Sequence, residues 1–433
     1  MHGQGATGIA AGIESSIREG TLLPGEQLPA VRALAGQLGV SPATVGAAYR
    51  VLRGRGLITT RGRLGTVVSL GPPVPTRGPM HVPSGVRNLA DGNPDPALLP
   101  SLDAALARLD PTPLLYGNAP NLPALLEVAR RQFAADGIPH ESLTVVGGAM
   151  DAFERLLTAY VNRGDRLVIE DPGHGNLIDL AGALGLEIEP VRVDDDGPLP
   201  DDLRRALERG ARAVAITPRA QNPTGAAVTE PRAKELVQVL ARFPDALVIE
   251  DDHSGALAGA PVHTVVAGLA RWAVVRSASK ALGPDLRVAI IAGDPMTIGR
   301  VEGRRLLGTG WTSNVLQHLV AAQWSDPQVA RQLAAAAETY RQRRVAFLDA
   351  LADYGIRAHG RSGLNVWIPV AEEHAPSRSL FNAGWAVSPG ERFRLASPPA
   401  LRVTIACLTP DESAGFAQDL HLALQPQRRT YEA

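Results

Sequence analysis

Five prolines, at 72, 73, 75, 79 and 83, fall within residues 71–88, a stretch with neither helical nor strand periodicity. Proline fixes φ and withholds a backbone donor, so no helix or central strand can run through it. The chain is thereby divided into a head of residues 1–70, a semi-stiff connector of residues 71–88 and a body of residues 89–433. A length of 433 residues agrees with more than one domain. Charge divides at the same place. Residues 1–70 carry seven arginines (18, 32, 50, 53, 55, 61, 63) against three glutamates (14, 19, 26), about +4. The whole chain has a formal net charge of -1, which leaves the body about -5. A basic head on an acidic body is what a DNA-reading module joined to a different module presents.

Other classes are disfavoured. Cys407 is the only cysteine, so no intramolecular disulfide and no cysteine-based metal cluster can form. The first residues lack a basic segment followed by an apolar one, and no run of about 18 apolar residues occurs. The expectation is a cytoplasmic protein without a membrane partner and without a metal.

In the head, Ile9, Ile13 and Ile17 recur at helical spacing, and Gly20 follows as a stop. Leu22–Pro29 has turn chemistry. Val31, Leu34, Ala35 and Leu38 form a second stripe ended by Gly39. Ser41 suits an N-cap, Pro42 the first helical position, and Val45, Tyr49 and Leu52 a buried face. Two helices joined by a short glycine-containing turn make a helix-turn-helix. Residues 57–68 then read as a β-hairpin with a basic glycine-rich tip, a wing.

The stretch from Leu23 to Val68 resembles the winged helix-turn-helix of the GntR family of bacterial regulators. The resemblance implies double-stranded operator DNA as a partner, contacted by Arg32, Ser41, Thr44 and the wing residues Arg61, Arg63 and Gly65. Residues 41–46 contain no arginine or lysine to read guanine, which shifts weight to phosphates and DNA shape.

In the body, short apolar runs alternate with helical stripes, the pattern of an α/β fold with a mainly parallel sheet. The strands predicted are Leu167–Glu170, Ala213–Thr217, Leu247–Glu250, Ala273–Ser277 and Val288–Ala292. Ligands in such sheets bind beyond the carboxyl ends of the strands. Six candidate motifs follow. The chain has only two lysines, Lys234 and Lys280, and Lys280 lies in Ser277-Ala278-Ser279-Lys280, with Arg287 seven residues on. Its amine could join an aldehyde as a Schiff base while the hydroxyls and guanidinium hold a phosphate. Alone, the motif fits a surface turn equally well. Gly147-Gly148-Ala149 follows an apolar run and opens a helix, where free N–H groups can cradle a phosphate. Asn222, in Asn-Pro-Thr-Gly, presents an amide to a phenolic oxygen. Asp251, in Glu250-Asp251-Asp252-His253, can hold a pyridine nitrogen protonated, or these acids cap a helix. His174 can stack on a flat cofactor or stand in a solvated loop. Arg402, in an alternating strand pattern, can clamp a carboxylate or face solvent.

In this order and spacing the motifs resemble the fold-type I, pyridoxal 5'-phosphate (PLP)-dependent enzymes of the aminotransferase class I/II group. That resemblance implies Lys280 as the Schiff-base lysine and Asp251 as the partner of the pyridinium. It implies Asn222 and His253 at the ring oxygen, and His174 over the ring. Gly148, Ala149, Ser277, Ser279 and Arg287 become the phosphate cup, and Arg402 the carboxylate clamp. Tyr116 matches a tyrosine that reaches the phosphate of a neighbouring subunit, which implies a homodimer. His253 and His174 stand where the family usually has aromatic residues. A GntR head joined to such a body resembles the MocR subfamily of regulators, in which PLP and a small amine or amino acid act as effectors. The function expected is a PLP-dependent transcription regulator. An aminotransferase carrying a DNA-binding head, and a regulator with a vestigial PLP site, stay open at this point.

Overall fold

The computed structural model describes residues 5–54, 56–60, 65–69, 82–110, 112 and 115–425. In the head, helices Ala6–Arg18, Val31–Leu38 and Pro42–Gly54 precede a hairpin, Ile58–Thr60 with Thr66–Val68. The strands run antiparallel with Ile58 opposite Val68 and Thr60 opposite Thr66. The stripes meet in one core of Ile9, Leu28, Ala35, Val45, Tyr49, Leu52, Ile58 and Val68. Tyr49 is fully enclosed, and its hydroxyl donates to the Pro29 carbonyl at 2.7 Å. Gly39 ends the second helix at φ +65, a conformation open to glycine. Two details differ from the stripe pattern. Leu38, in the last turn before Gly39, is 43% exposed. The turn around Gly25–Leu28 docks as an extra edge on the wing, with Leu28 N–H donating to Thr66 and Val68 N–H to Glu26.

The body is built on an eight-stranded sheet. Its spatial order is Ser142–Val146, Ala289–Gly293, Trp272–Ser277, Leu247–Asp252, Ala211–Ile216, Arg166–Asp171, Glu187–Asp194 and Gly197–Pro198. The five predicted strands are all present, each within two residues of its expected ends. Trp272–Ser277, Leu247–Asp252, Ala211–Ile216 and Arg166–Asp171 run parallel. Ala289–Gly293 runs antiparallel to both of its neighbours. The link from Ser277 to Ala289 holds only the helical turn Ser279–Leu282, too short for the crossover that a parallel return needs. The central strands are buried apart from Arg212, which explains their apolar runs. A helix of 27 residues, Pro327–Asp353, leads to a smaller sheet of Asn365–Pro369, Ala400–Thr404 and Ser388–Pro389. Arg87–Asn88, at the end of the expected connector, pairs with Trp385–Ala386, while residues 70–81 lie outside the described residues. Among the described residues, no helix is long and apolar enough to cross a membrane.

Candidate PLP site and DNA interface

The strand Trp272–Ser277 delivers Ser277 at its carboxyl end, and the turn Ser279–Leu282 follows. Ser279 N–H donates to Ser277 Oγ at 3.2 Å, and Ser279 Oγ donates to the Leu286 carbonyl at 3.2 Å. These bonds fix the turn that aims Lys280. Its Nζ donates to the Gly92 carbonyl at 2.5 Å. Burial, with the Arg402 charge nearby, brings the Lys280 ammonium down to about 8.

Gly148 stands at φ +111 before the helix Ala149–Tyr160. A Cβ there would lie 2.6 Å from Arg287 Nη2, so the absence of a side chain lets that guanidinium rest on the helix start. The backbone and the cation together form a concave, anion-seeking surface.

Side chains alternate along a strand, so adjacent residues at a strand end face opposite sides. Asp251 faces the cleft. Asp252, itself fully buried, faces away into an ion cluster. Its carboxylate accepts from Arg219 Nε at 2.8 Å, Arg219 Nη2 at 2.9 Å and Arg276 Nε at 2.8 Å. Asp136 joins both arginines, and Arg276 also lies 4.5 Å from the centre of the Phe133 ring. The acidic pair thus does not cap a helix. One member serves the cleft and the other the core.

The cleft has a volume of about 320 Å³. Ala149, His174, Asn222, Asp251, His253, Ser277, Ser279, Lys280, Arg287 and Arg402 all line it. Gly148 adjoins it beneath Arg287. Tyr116 does not line it; that side chain is 90% exposed and stacks edge-on against Trp311 at 5.4 Å. Among the described residues, Asp251 Oδ1 and His253 Nδ1 are buried without a hydrogen-bond partner, and His253 Nδ1 lies 3.5 Å from Asp251 Oδ2. Burial holds the half-buried His174 at about 4, against the pull of Asp251, so it is neutral at pH 7. Arg402 is buried, not solvent-facing. Its Nη1 donates to Asn222 Oδ1 at 3.1 Å, its Nη2 to the Ala90 carbonyl, and its guanidinium lies 4.6 Å from the centre of the Phe393 ring. The Nε of Arg402 is left without a partner.

Sequence reasoning missed Asp91, Gly92, Asn365, Arg392 and Phe393, which also line the cleft. Asp91-Gly92-Asn93-Pro94 carries strong turn signals that mark a loop, but nothing local joins it to Lys280, 188 residues away. Arg392 and Phe393 carry no local signal.

In the head, Arg32 is exposed. Ser41 is the N-cap expected, accepting from Thr44 N–H at 3.1 Å, and its hydroxyl lies 2.8 Å from that of Thr44. Both stand at the accessible start of the recognition helix. Gly65 holds φ +72 at the base of the wing. Arg61 and Arg63 lie outside the described residues.

Residues 6–68 match the model of the bacterial regulatory proteins of the gntR family, and residues 85–420 that of aminotransferase class I and II. Over 431 residues the chain is 41% identical to the vitamin B6 salvage pathway transcriptional repressor PtsJ of Salmonella typhimurium, covering 98% of this chain and 99% of that protein. The chain belongs to the MocR-type regulators. It is 30% identical to the pyridoxine biosynthesis transcriptional regulator PdxR of Corynebacterium glutamicum, over 80% of this chain and 79% of that one. Among solved structures, the Pyrococcus horikoshii kynurenine aminotransferase superposes with a TM-score of 0.72 at 22% identity, covering 79% of this chain and 91% of that one. This last likeness establishes the fold of the body. A MocR-type regulator is a DNA-binding transcription regulator with an aminotransferase-like domain, and PLP is the cofactor that goes with that domain. The residues present fit it. An unpaired buried carboxylate oxygen on Asp251, a neutral-accessible lysine amine and a glycine cradle under Arg287 match a pyridine nitrogen, an aldehyde and a phosphate.

Proposed function

We propose that the chain is a cytoplasmic, homodimeric, DNA-binding regulator that holds PLP at Lys280 and senses a small amine or amino acid in the same cleft. The observation that carries this reading is the convergence of Lys280 with the Asp251 carboxylate, whose buried Oδ1 has no hydrogen-bond partner among the described residues, in a cleft ringed by Arg287 and Arg402. Bound PLP supplies an aldehyde that captures amines and a ring that takes up electrons. The chain's own residues do the rest. Lys280 presents the amine, and Ser277, Ser279, Arg287 and the Gly148–Ala149 backbone seat the phosphate. Asp251 keeps the ring nitrogen protonated, and Arg402 orients a ligand carboxylate. A ligand moves the head only if it binds two conformations of the body unequally. The exposure of the large apolar side chains Leu115, Tyr116, Leu306 and Leu307 supports a second copy as their cover.

The test is an absorption titration of the purified protein with PLP, then with a panel of amines. A lysine-bound cofactor band that one amine perturbs, without release of an oxo acid, is the result expected of a sensor. Release of an oxo acid would favour the second reading, a working aminotransferase, which the presence of Asn222 and Arg402 in the cleft supports. Only an uncharged amine attacks an aldehyde. The rate of PLP capture by the cofactor-free protein is therefore expected to rise with pH through about 8 and level off above it. A rate that keeps climbing toward the ordinary lysine value of 10.5 would mean a solvated amine.

A further inference from the structure

The cleft holds one more cationic side chain than the cofactor and a simple amino acid would engage. Lys280, Arg287, Arg392 and Arg402 line it, against the carboxylates of Asp91 and Asp251. Among the described residues, no carboxylate lies within ion-pair distance of Arg287, Arg392 or Arg402, although most other arginines of the body have one. Arg287 and Arg392 are exposed and Arg402 is buried; burial, and then the Arg392 charge, lower the Arg402 guanidinium to about 10, and a bound anion relieves that repulsion. On the reading above, the phosphate takes Arg287 and the ligand carboxylate takes Arg402. Arg392 is left over.

The backbone that carries Arg392 is firmly held, while its side chain is exposed. It belongs to a strap, residues 390–397, that Asp171 clasps by accepting N–H bonds from Leu395, Ala396 and Ser397 at 2.8, 2.8 and 2.9 Å. Gly173 N–H donates to the Phe393 carbonyl at 2.7 Å. Gly175 clears the path of the side chain, since a Cβ there would lie 2.7 Å from the Arg392 carbonyl and 3.2 Å from its Cγ. The strap puts Phe393 under Arg402 and Arg392 at the mouth of the same cleft. Among the described residues, the only hydrogen bond of the Arg392 guanidinium is a long one to Asn176 Oδ1, at 3.4 Å.

We infer that Arg392 is a subsite for a second anionic group, so that the cleft selects amines carrying two anionic groups over those carrying one. The inference rests on the reading of the cleft as a PLP and amine site. PLP-loaded full-length protein, titrated with L-glutamate against L-glutamine and with L-aspartate against L-asparagine, tests it through the band of the bound cofactor. Each pair has one shape and differs by one charge. The acids are expected to bind roughly 10-fold more tightly than the amides, the scale of a charge-assisted, arginine-held carboxylate. Arg392→Gln is expected to bring each ratio to within about 2-fold of unity, and Arg392→Lys to restore the preference. Equal binding of acids and amides by the unsubstituted protein would overturn the inference. So would a preference that survives in Arg392→Gln, or a bound cofactor that none of the four compounds perturbs; in both cases the PLP site itself would stand. A protein that takes up no PLP would overturn the underlying reading, and this inference with it.

Discussion

Replacing Lys280 with alanine is expected to abolish the absorption band of lysine-bound PLP and to let the cofactor wash out on gel filtration. The chain's other lysine, Lys234, pairs with Glu230 on an exposed helix and has no place in the cleft, so it cannot substitute. The fold should survive. Burial already penalises the Lys280 ammonium, and its one hydrogen bond is to the Gly92 carbonyl. Operator binding by the cofactor-free variant should stay within about 2-fold of the cofactor-free parent, because distant independent sites contribute additively. Retention of the band would remove Lys280 from its assigned role. Loss of cofactor-free DNA binding would contradict a head and body that work as separate modules.

Asp252→Ala is expected to destabilise the body by about 3–5 kcal/mol, since it strips two buried arginines of their shared counter-charge. Asp252 is fully buried and takes bonds from both Arg219 and Arg276, while the remaining Asp136 is only partly enclosed. Denaturant unfolding of the cofactor-free protein measures it, as a shift in midpoint at constant slope. The same cluster sets an acid limit. The arginines hold the Asp252 carboxyl below its ordinary value of 3.8, despite its burial. Its stabilising contribution is thus fully present above that value and is lost as pH falls below it. An unchanged midpoint would mean that the cluster contributes nothing net.

Most of the architecture was legible because it is written in local periods. Ile9, Ile13 and Ile17, the Ser41–Pro42 cap and the runs at 247–250 and 273–277 each carry their own signal over a few residues. Lys280 could be picked out because its serines and Arg287 are sequence neighbours. What could not be read was pairing across long separations. Asp252 stood next to Asp251 in the sequence with nothing to show that it would meet Arg219, 33 residues away, or that Arg276 would meet Asp136, 140 residues away. Arg402 read as a clamp or as the more common solvent-facing strand residue, and its burial follows from packing with Ala90, Asn222 and Phe393, all distant or unmarked in the sequence. The strap that carries Arg392 is held by Asp171, more than 220 residues upstream, and no local pattern announces it.

The central claim is that occupancy of the Lys280 cleft controls the head. The most direct measurement is the affinity of the full-length protein for an operator fragment, by fluorescence anisotropy at fixed salt, without PLP, with PLP, and with PLP plus the amine that perturbs its spectrum. A change in affinity of about 5-fold or more, within the usual range of allosteric coupling and absent in Lys280→Ala, is the result predicted. Saturation of the protein with PLP and amine at unchanged operator affinity would contradict it.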